Sequence, residues 1–170
     1  MDGKSAQSGS SALSRPSGQP RQSGQSRPSG QPGLGMLAFL AYRQVEMRSM
    51  AAVEAAGHTI TLSQARLFER VNPEGSRLTE LAESAQLTKQ SAAYLVDELI
   101  AAGYLRRSHD PEDGRAKLIT ITDRGYEVIA VARRSEAEVE EEWSNHLGDE
   151  SFDTLRRLLI ELREITDPFR

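Results

Sequence analysis

Residues 78–125 read LTELAESAQLTKQSAAYLVDELIAAGYLRRSHDPEDGRAKLITITDRG. Leu78, Leu81, Ala82 and Ala85 recur at helical spacing and predict a short helix. Leu87 follows as a core plug, and Thr88 is placed to cap a second helix whose apolar face is Ala92, Leu95, Val96, Leu99 and Ile100. Gly103 stops that helix. Two short helices joined by about three residues, the second longer and capped by threonine, form the helix-turn-helix pattern.

The same stretch continues into a hairpin. YLRRS and AKLITIT read as strands, the second alternating Leu118, Ile119, Thr120 and Ile121 in the period of a half-buried strand. Between them, Asp110–Gly114 carries an Asp-Pro and an Asp-Gly pair, the residue chemistry of a tight turn. Thr122 then caps a long helix that runs to Leu147, where Gly148 and Asp149 make a stop and a restart. A helix-turn-helix followed at once by a two-stranded hairpin is a winged helix. The predicted fold is mainly α with a small β-hairpin wing.

The flanking segments are helical too. GMLAFLAYRQVEMRSMAAVEAAG is alanine-rich with near-helical apolar spacing, and Gly57 offers its stop. A further helix begins in TLSQARLFERV, where Thr61 and Gln64 fit a capping box, and NPEGSR reads as a loop. The final helix places Phe152, Leu155, Leu158, Leu159, Leu162 and Ile165 on one face. That stripe is too apolar for an isolated surface helix. Residues 1–35, built from Ser, Gly, Gln, Pro and Arg, cannot bury enough apolar surface to offset ordering, and are expected to form a mildly cationic disordered arm.

Composition narrows the chemistry. The chain has 170 residues, a net charge of −4 and no cysteine. Disulfides, thiol catalysis and thiolate zinc sites are therefore excluded. No run approaches the ~20 apolar residues of a membrane span, and no secretory h-region is visible, so a cytoplasmic location is expected. His58, His109 and His146 are far apart, and EAEVEEE reads as a solvated face, so no metal, cofactor or enzymatic site is expected. A net negative charge speaks against coating nucleic acid through bulk positive charge, yet leaves room for a local basic patch.

Residues 77–125 resemble the MarR (multiple antibiotic resistance regulator) family of bacterial transcription factors. The matching stretches are LTELAESAQLTKQSAAYLVDELIAAGYLRR, DPEDGRAKL and ITDRG, with Asp113-x-Arg115 and Thr122-x-x-Gly125 at family spacing. The order of helices from Met36 to Ile165 fits as well. The resemblance implies a single domain over 36–168 in which 61–125 form the winged helix-turn-helix and 122–147 a long connecting helix. It also implies helices 36–56 and 146–168 as a dimerisation layer.

A major groove admits one helix, and the exposed face of the second helix-turn-helix helix carries Lys89, Gln90, Ser91, Ala93 and Tyr94. Thr88, Lys89 and the first amides lie at a helix N-terminus that favours phosphate. Gln90 suits adenine, Ser91 can donate or accept, Ala93 leaves room for a thymine methyl, and Tyr94 suits phosphate or sugar. The family places the arginine of its Asp-x-Arg pair in the minor groove, here Arg115 oriented by Asp113. A narrow A·T-rich groove rewards such an arginine. Lys117 and Arg106 or Arg107 add backbone contacts at the wing's base. Outside a winged helix, Gln90 and Ser91 would read as ordinary solvated residues, and Asp113 with Arg115 as a hairpin ion pair worth at most ~1 kcal/mol.

Two positions depart from the family: Gly114 replaces a second basic wing residue, and Gln86 occupies the turn where glycine is usual. The resemblance implies a homodimeric repressor on a short inverted repeat of double-stranded DNA, released by a small, often aromatic, anionic effector in a cleft beside the dimerisation layer. Tyr42, Phe68 and Trp143 are candidate cleft aromatics or core residues. Asp97 and Glu98 on the recognition helix keep a second reading open, a winged-helix module that binds protein and not DNA.

Overall fold

The computed structural model describes residues 30–110 and 117–167. The arm expected over 1–35 therefore lies, as far as residue 29, outside the described residues, as do Asp113, Gly114 and Arg115 of the wing. From Leu34 onward the described elements run α1 (Leu34–Ala55), α2 (Leu62–Phe68), α3 (Leu78–Ser84), α4 (Lys89–Ala101), β1 (Leu105–His109), β2 (Lys117–Ile121), α5 (Asp123–Leu147) and α6 (Asp149–Thr166). The fold is mainly helical with one antiparallel hairpin.

Local chemistry sets most boundaries. Thr61 accepts from the Gln64 amide at 3.3 Å while the Gln64 side chain accepts from Thr61 N at 2.8 Å, a complete capping box on α2. Thr88 caps α4 by accepting from Ser91 N at 3.1 Å, and Thr122 caps α5 by accepting from Gly125 N at 3.1 Å. α1, α3 and α4 end alike: the residue two beyond the cap donates back five residues and the one before it donates back three. This Schellman geometry needs a left-handed residue, which is Gly57 after α1 and Gly103 after α4.

After α3 the same place is held by Gln86 at φ 54°, where the sequence lacks the usual glycine. A side chain there costs ~1 kcal/mol, and glycine would relieve it while loosening the unfolded chain by nearly as much. Gln86→Gly is therefore expected to stabilise by no more than ~1 kcal/mol in urea unfolding, and a clear loss would show that the strain is absent.

The core joins the helix-turn-helix to the hairpin. Leu67, Phe68, Leu81, Ala92, Val96, Leu99, Tyr104, Leu105, Ile119 and Ile121 are buried together, with Val53 of α1 and Val128 of α5 closing one side. Leu87, the predicted plug, is partly buried against this cluster, as are Leu95 and Ile100. The hairpin pairs Leu105 with Ile121, Arg107 with Ile119 and His109 with Lys117. Its outer support was not legible in NPEGSR. Ser76 exchanges both backbone hydrogen bonds with Ile119, at 3.0 and 2.8 Å, and so adds a one-residue third strand.

α1 and α5 pack along each other, tied near the end of α5 by Arg48 on Glu142 at 3.0 Å and by Trp143 Nε1 donating to Gln44 at 3.2 Å. α6 rests on α5 through Arg156 and Glu140 at 2.8 Å. None of α6 is buried, and Leu158, Leu159, Ile160 and Ile165 stay exposed, as do Leu34, Met36, Leu37, Phe39 and Leu40 of α1. No helix among the described residues is long and apolar enough to cross a membrane.

Candidate nucleic-acid interface

The second helix of the helix-turn-helix, α4, buries Ala92, Val96 and Leu99 and turns its opposite side outward. Lys89, Gln90 and Ser91 are exposed at its first turn, Ala93 is half-buried, and Tyr94 is 63% exposed one turn further on. Thr88 Oγ1 sits 2.8 Å from Ser91 Oγ as well as capping the helix, so both hydroxyls are held at the N-terminus. Lys89 and Gln90 have no side-chain partner among the described residues, and their donors and acceptors stay available to a ligand. A cation beside free helix amides makes this end attractive to phosphate.

The hairpin flanks this surface. Lys117 is exposed at the start of β2, and Arg106 is exposed on β1 with its Nε donating to Thr120 Oγ1 at 3.2 Å. Neighbouring Arg107 does something different. It meets Asp97 of α4 at 2.5 Å, locking the hairpin base to the recognition helix. One of the two arginines is expected from the sequence to face the DNA backbone and the other solvent; Arg107 instead pairs with Asp97 within the chain. Asp113 and Arg115 fall outside the described residues, so their placement rests on the sequence reading alone.

The acidic residues that clouded the sequence reading are both engaged. Asp97 is ion-paired with Arg107. Glu98 accepts from Tyr94 OH at 2.6 Å and from Gln64 Nε2 at 3.0 Å. That bond to Glu98 raises the Tyr94 phenol above its ordinary value, because the carboxylate holds the proton in place. Gln64 was singled out only as a capping residue; nothing in local spacing signals that its side chain spans to α4.

A cleft of about 510 Å³ opens between α1, α2 and α5. Tyr42 and Phe68, two of the three candidate aromatics, line it, with Val53, Ile129 and Ala132 among its apolar walls. Trp143 does not line it and bonds to Gln44 instead. Arg66 Nε donates to Glu46 at 2.8 Å and Tyr42 OH donates to the same oxygen at 2.8 Å. The Arg66 bond holds the Glu46 carboxyl below its ordinary range. Glu69 and Glu136 also line the cleft, and crowding by surrounding atoms pushes both carboxyls upward, each helped by a neighbouring carboxylate.

The raised pair has a consequence for stability. Their folded-state values lie above the ordinary 4.5, so the native chain holds these protons more tightly than the unfolded chain. Stability from this source is present at acid pH and lost as pH rises through the folded-state values. The double variant Glu69→Gln, Glu136→Gln is expected to lose that pH dependence and to gain stability at pH 7, by less than ~1 kcal/mol because solvent reaches the cleft. Unfolding midpoints measured from pH 4.5 to 7.5 for both proteins check the sign. Among the described residues, no three His, Asp or Glu side chains converge as a metal site would require.

Comparison with known proteins agrees with this geometry. Residues 58–116 match the model of the MarR family. The transcriptional regulator HosA of Escherichia coli O111:H- is 29% identical over 85 residues, covering 50% of this chain and 63% of HosA, so the chain spans less than two thirds of that relative's length. The transcriptional regulator Tm0710 from Thermotoga maritima superposes with a TM-score of 0.58 at 27% identity, over 77% of this chain and 91% of its own. The fold also matches the transcriptional repressor CouR bound to a 23-mer DNA duplex, with a TM-score of 0.58 at 24% identity, over 76% of this chain and 92% of CouR. The matched relatives are regulators of transcription, a class distinct from enzymes. With its helix-turn-helix, hairpin wing and long connecting helix in this order, the chain is similar to the MarR family, whose model it matches over residues 58–116.

Proposed function

We propose that the chain is a sequence-specific, double-stranded DNA-binding transcriptional regulator, acting as a homodimeric repressor of a short inverted repeat. The observation that carries this is the outer face of α4: Lys89 and Gln90 stand without side-chain partners among the described residues, beside the cap of Thr88 on Ser91 and next to a hairpin bearing Arg106 and Lys117. Lys89, Thr88 and the helix N-terminus bind phosphate, Gln90 and Ser91 meet base edges, Ala93 admits a thymine methyl, and Arg115 with Asp113 enters the adjacent minor groove.

A dimer is needed because one α4 reads few base pairs, and two must sit about one DNA turn (~34 Å) apart to read a palindrome. The exposed apolar rows of α1 and α6 support burial against a second copy. The cleft between α1, α2 and α5 supports a small-molecule effector, since it lies between the helices of that layer and the helix-turn-helix. Such a ligand releases DNA only as far as it binds the two states unequally.

Fluorescence anisotropy with a duplex from the protein's own upstream intergenic region tests the reading, at two salt concentrations. Wild type is expected to bind tightly and salt-sensitively. Arg115→Ala is expected to weaken binding by ~10-fold or more, the loss of one well-placed groove contact. Weak, equal binding by both proteins across a panel of intergenic duplexes would sink the regulator reading and favour a protein-binding module.

A further inference from the structure

Tyr94 is the largest exposed side chain on the outer face of α4, and its proton is already committed. The phenol donates to Glu98 Oε1 at 2.6 Å. Glu98 is not free to swing away, because its other oxygen accepts from Gln64 Nε2 at 3.0 Å. Gln64 is fixed in turn by the capping box, its amide oxygen accepting from Thr61 N at 2.8 Å. A chain of three hydrogen bonds therefore runs from the start of α2 to the reading face of α4.

A phenol has one proton to donate and lone pairs to accept with. Once the proton is held by Glu98, the oxygen can offer an incoming group only its lone pairs. Phosphate oxygens accept and do not donate, so Tyr94 so held has nothing to give them, and the carboxylate behind it repels them. The expectation from sequence is a contact by Tyr94 to phosphate or sugar; the hydrogen bond to Glu98 favours a base edge instead. In the major groove, the donors on base edges are the exocyclic amino groups of adenine, N6, and cytosine, N4.

We infer that Tyr94, locked as a hydrogen-bond acceptor by Glu98 and Gln64, is a specificity-determining residue that reads an adenine or cytosine amino group in the major groove. The inference rests on the regulator reading above. Tyr94 follows Gln90 by four residues, on the same face and about 6 Å further along the helix. With a base rise of ~3.4 Å, its target lies one or two base pairs from the one that Gln90 contacts. Glu98 is a positioning residue: it sets which hydrogen-bonding sense the phenol presents. The raised ionisation of the Tyr94 phenol is consistent with that lock.

The test is selection of duplexes from a pool randomised over ~20 base pairs, using the full chain as wild type, Tyr94→Phe and Glu98→Ala, each first checked for an unchanged unfolding midpoint. Wild type is expected to enrich adenine or cytosine at one position per half-site. Tyr94→Phe, which keeps the ring, should lose that preference, with ~5-fold or greater relaxation there alone and an unchanged salt slope. Glu98→Ala frees the phenol proton, and its preference at the same position should move towards thymine or guanine, whose O4 and O6 accept. A merely structural role for Glu98 would lower affinity without changing the preferred base.

The inference is overturned if Tyr94→Phe weakens all sequences equally with a shallower salt slope, the mark of a phosphate contact. It is equally overturned if the preference survives in both variants, while wild-type enrichment keeps the regulator reading standing. Enrichment of no sequence by wild type overturns both.

Discussion

Gly125→Ala is expected to lower the thermal midpoint by roughly 6–12 °C, with the tightest surroundings for an added methyl group among the described glycines. A Cβ at Gly125 would stand 2.4 Å from the Tyr104 carbonyl oxygen, 2.7 Å from Ile121 Cγ2 and 3.1 Å from Phe68 Cζ. The nearest atom is backbone and cannot turn aside. The same carbonyl accepts from Thr122 N at 3.1 Å and lies 3.0 Å from Thr122 Oγ1, so moving it disturbs the cap of α5. Overpacking of an unyielding site costs ~3 kcal/mol or more, and a chain of this size loses about 2–4 °C per kcal/mol.

Gly148→Ala is the control. It has φ 83° but nothing within 4 Å of its added Cβ. It should therefore pay only the backbone cost of its conformation, φ 83° and ψ 146°, which residues other than glycine rarely adopt, on the order of 1–3 kcal/mol. Differential scanning calorimetry on both variants decides the matter. Equal, small shifts would mean that α5 can slide away from Tyr104. The Thr122-x-x-Gly125 spacing in the sequence thus has two physical causes: threonine supplies the cap, and glycine lets the helix start against the strand.

Arg77→Ala is expected to destabilise the chain by about 1–3 kcal/mol and to weaken DNA binding beyond that loss. Asp110 is 6% exposed, and Arg77 approaches one of its carboxylate oxygens through Nε at 3.0 Å and Nη2 at 2.6 Å. Removing the cation leaves a buried carboxylate with its forked donor gone, which costs more than the pair's net contribution in the native chain. Arg77 stands at the start of α3 and Asp110 just beyond β1, so the pair fastens the wing to the helix-turn-helix at the point where the chain leaves for residues 111–116.

Arg77→Lys separates the two roles of the arginine. Lysine keeps the charge but loses the planar fork, and should recover stability more fully than DNA affinity. Urea unfolding and anisotropy on the same preparations give both numbers. Unchanged affinity in Arg77→Ala would show that the wing's aim is set elsewhere. Neither residue carried a signal in the sequence beyond an ordinary loop and a turn aspartate.

Much of the fold was legible because its determinants are local. Thr61 with Gln64, Thr88 and Thr122 announce three helix starts, and Gly57 and Gly103 two ends, through contacts no more than six residues apart. Gln86 was legible as a strained turn for the same reason, since the turn geometry demands a left-handed residue whatever occupies it. The outer face of α4 followed from the burial of Ala92, Val96 and Leu99 on the other side.

What the sequence by itself determined, then, was the order of helices, the hairpin and the identity of the face that reads DNA in the proposed function. What only the tertiary structure decided was the state of the groups on and around that face. Ser76 joined Ile119, Arg107 took Asp97, Arg77 took Asp110, and Gln64 reached Glu98 across 34 residues to hold the Tyr94 proton. Caps, turns and amphipathic spacing act over one or two turns of chain and leave a pattern in adjacent letters. Pairing between side chains on different elements depends on how those elements pack, and no short-range periodicity records it.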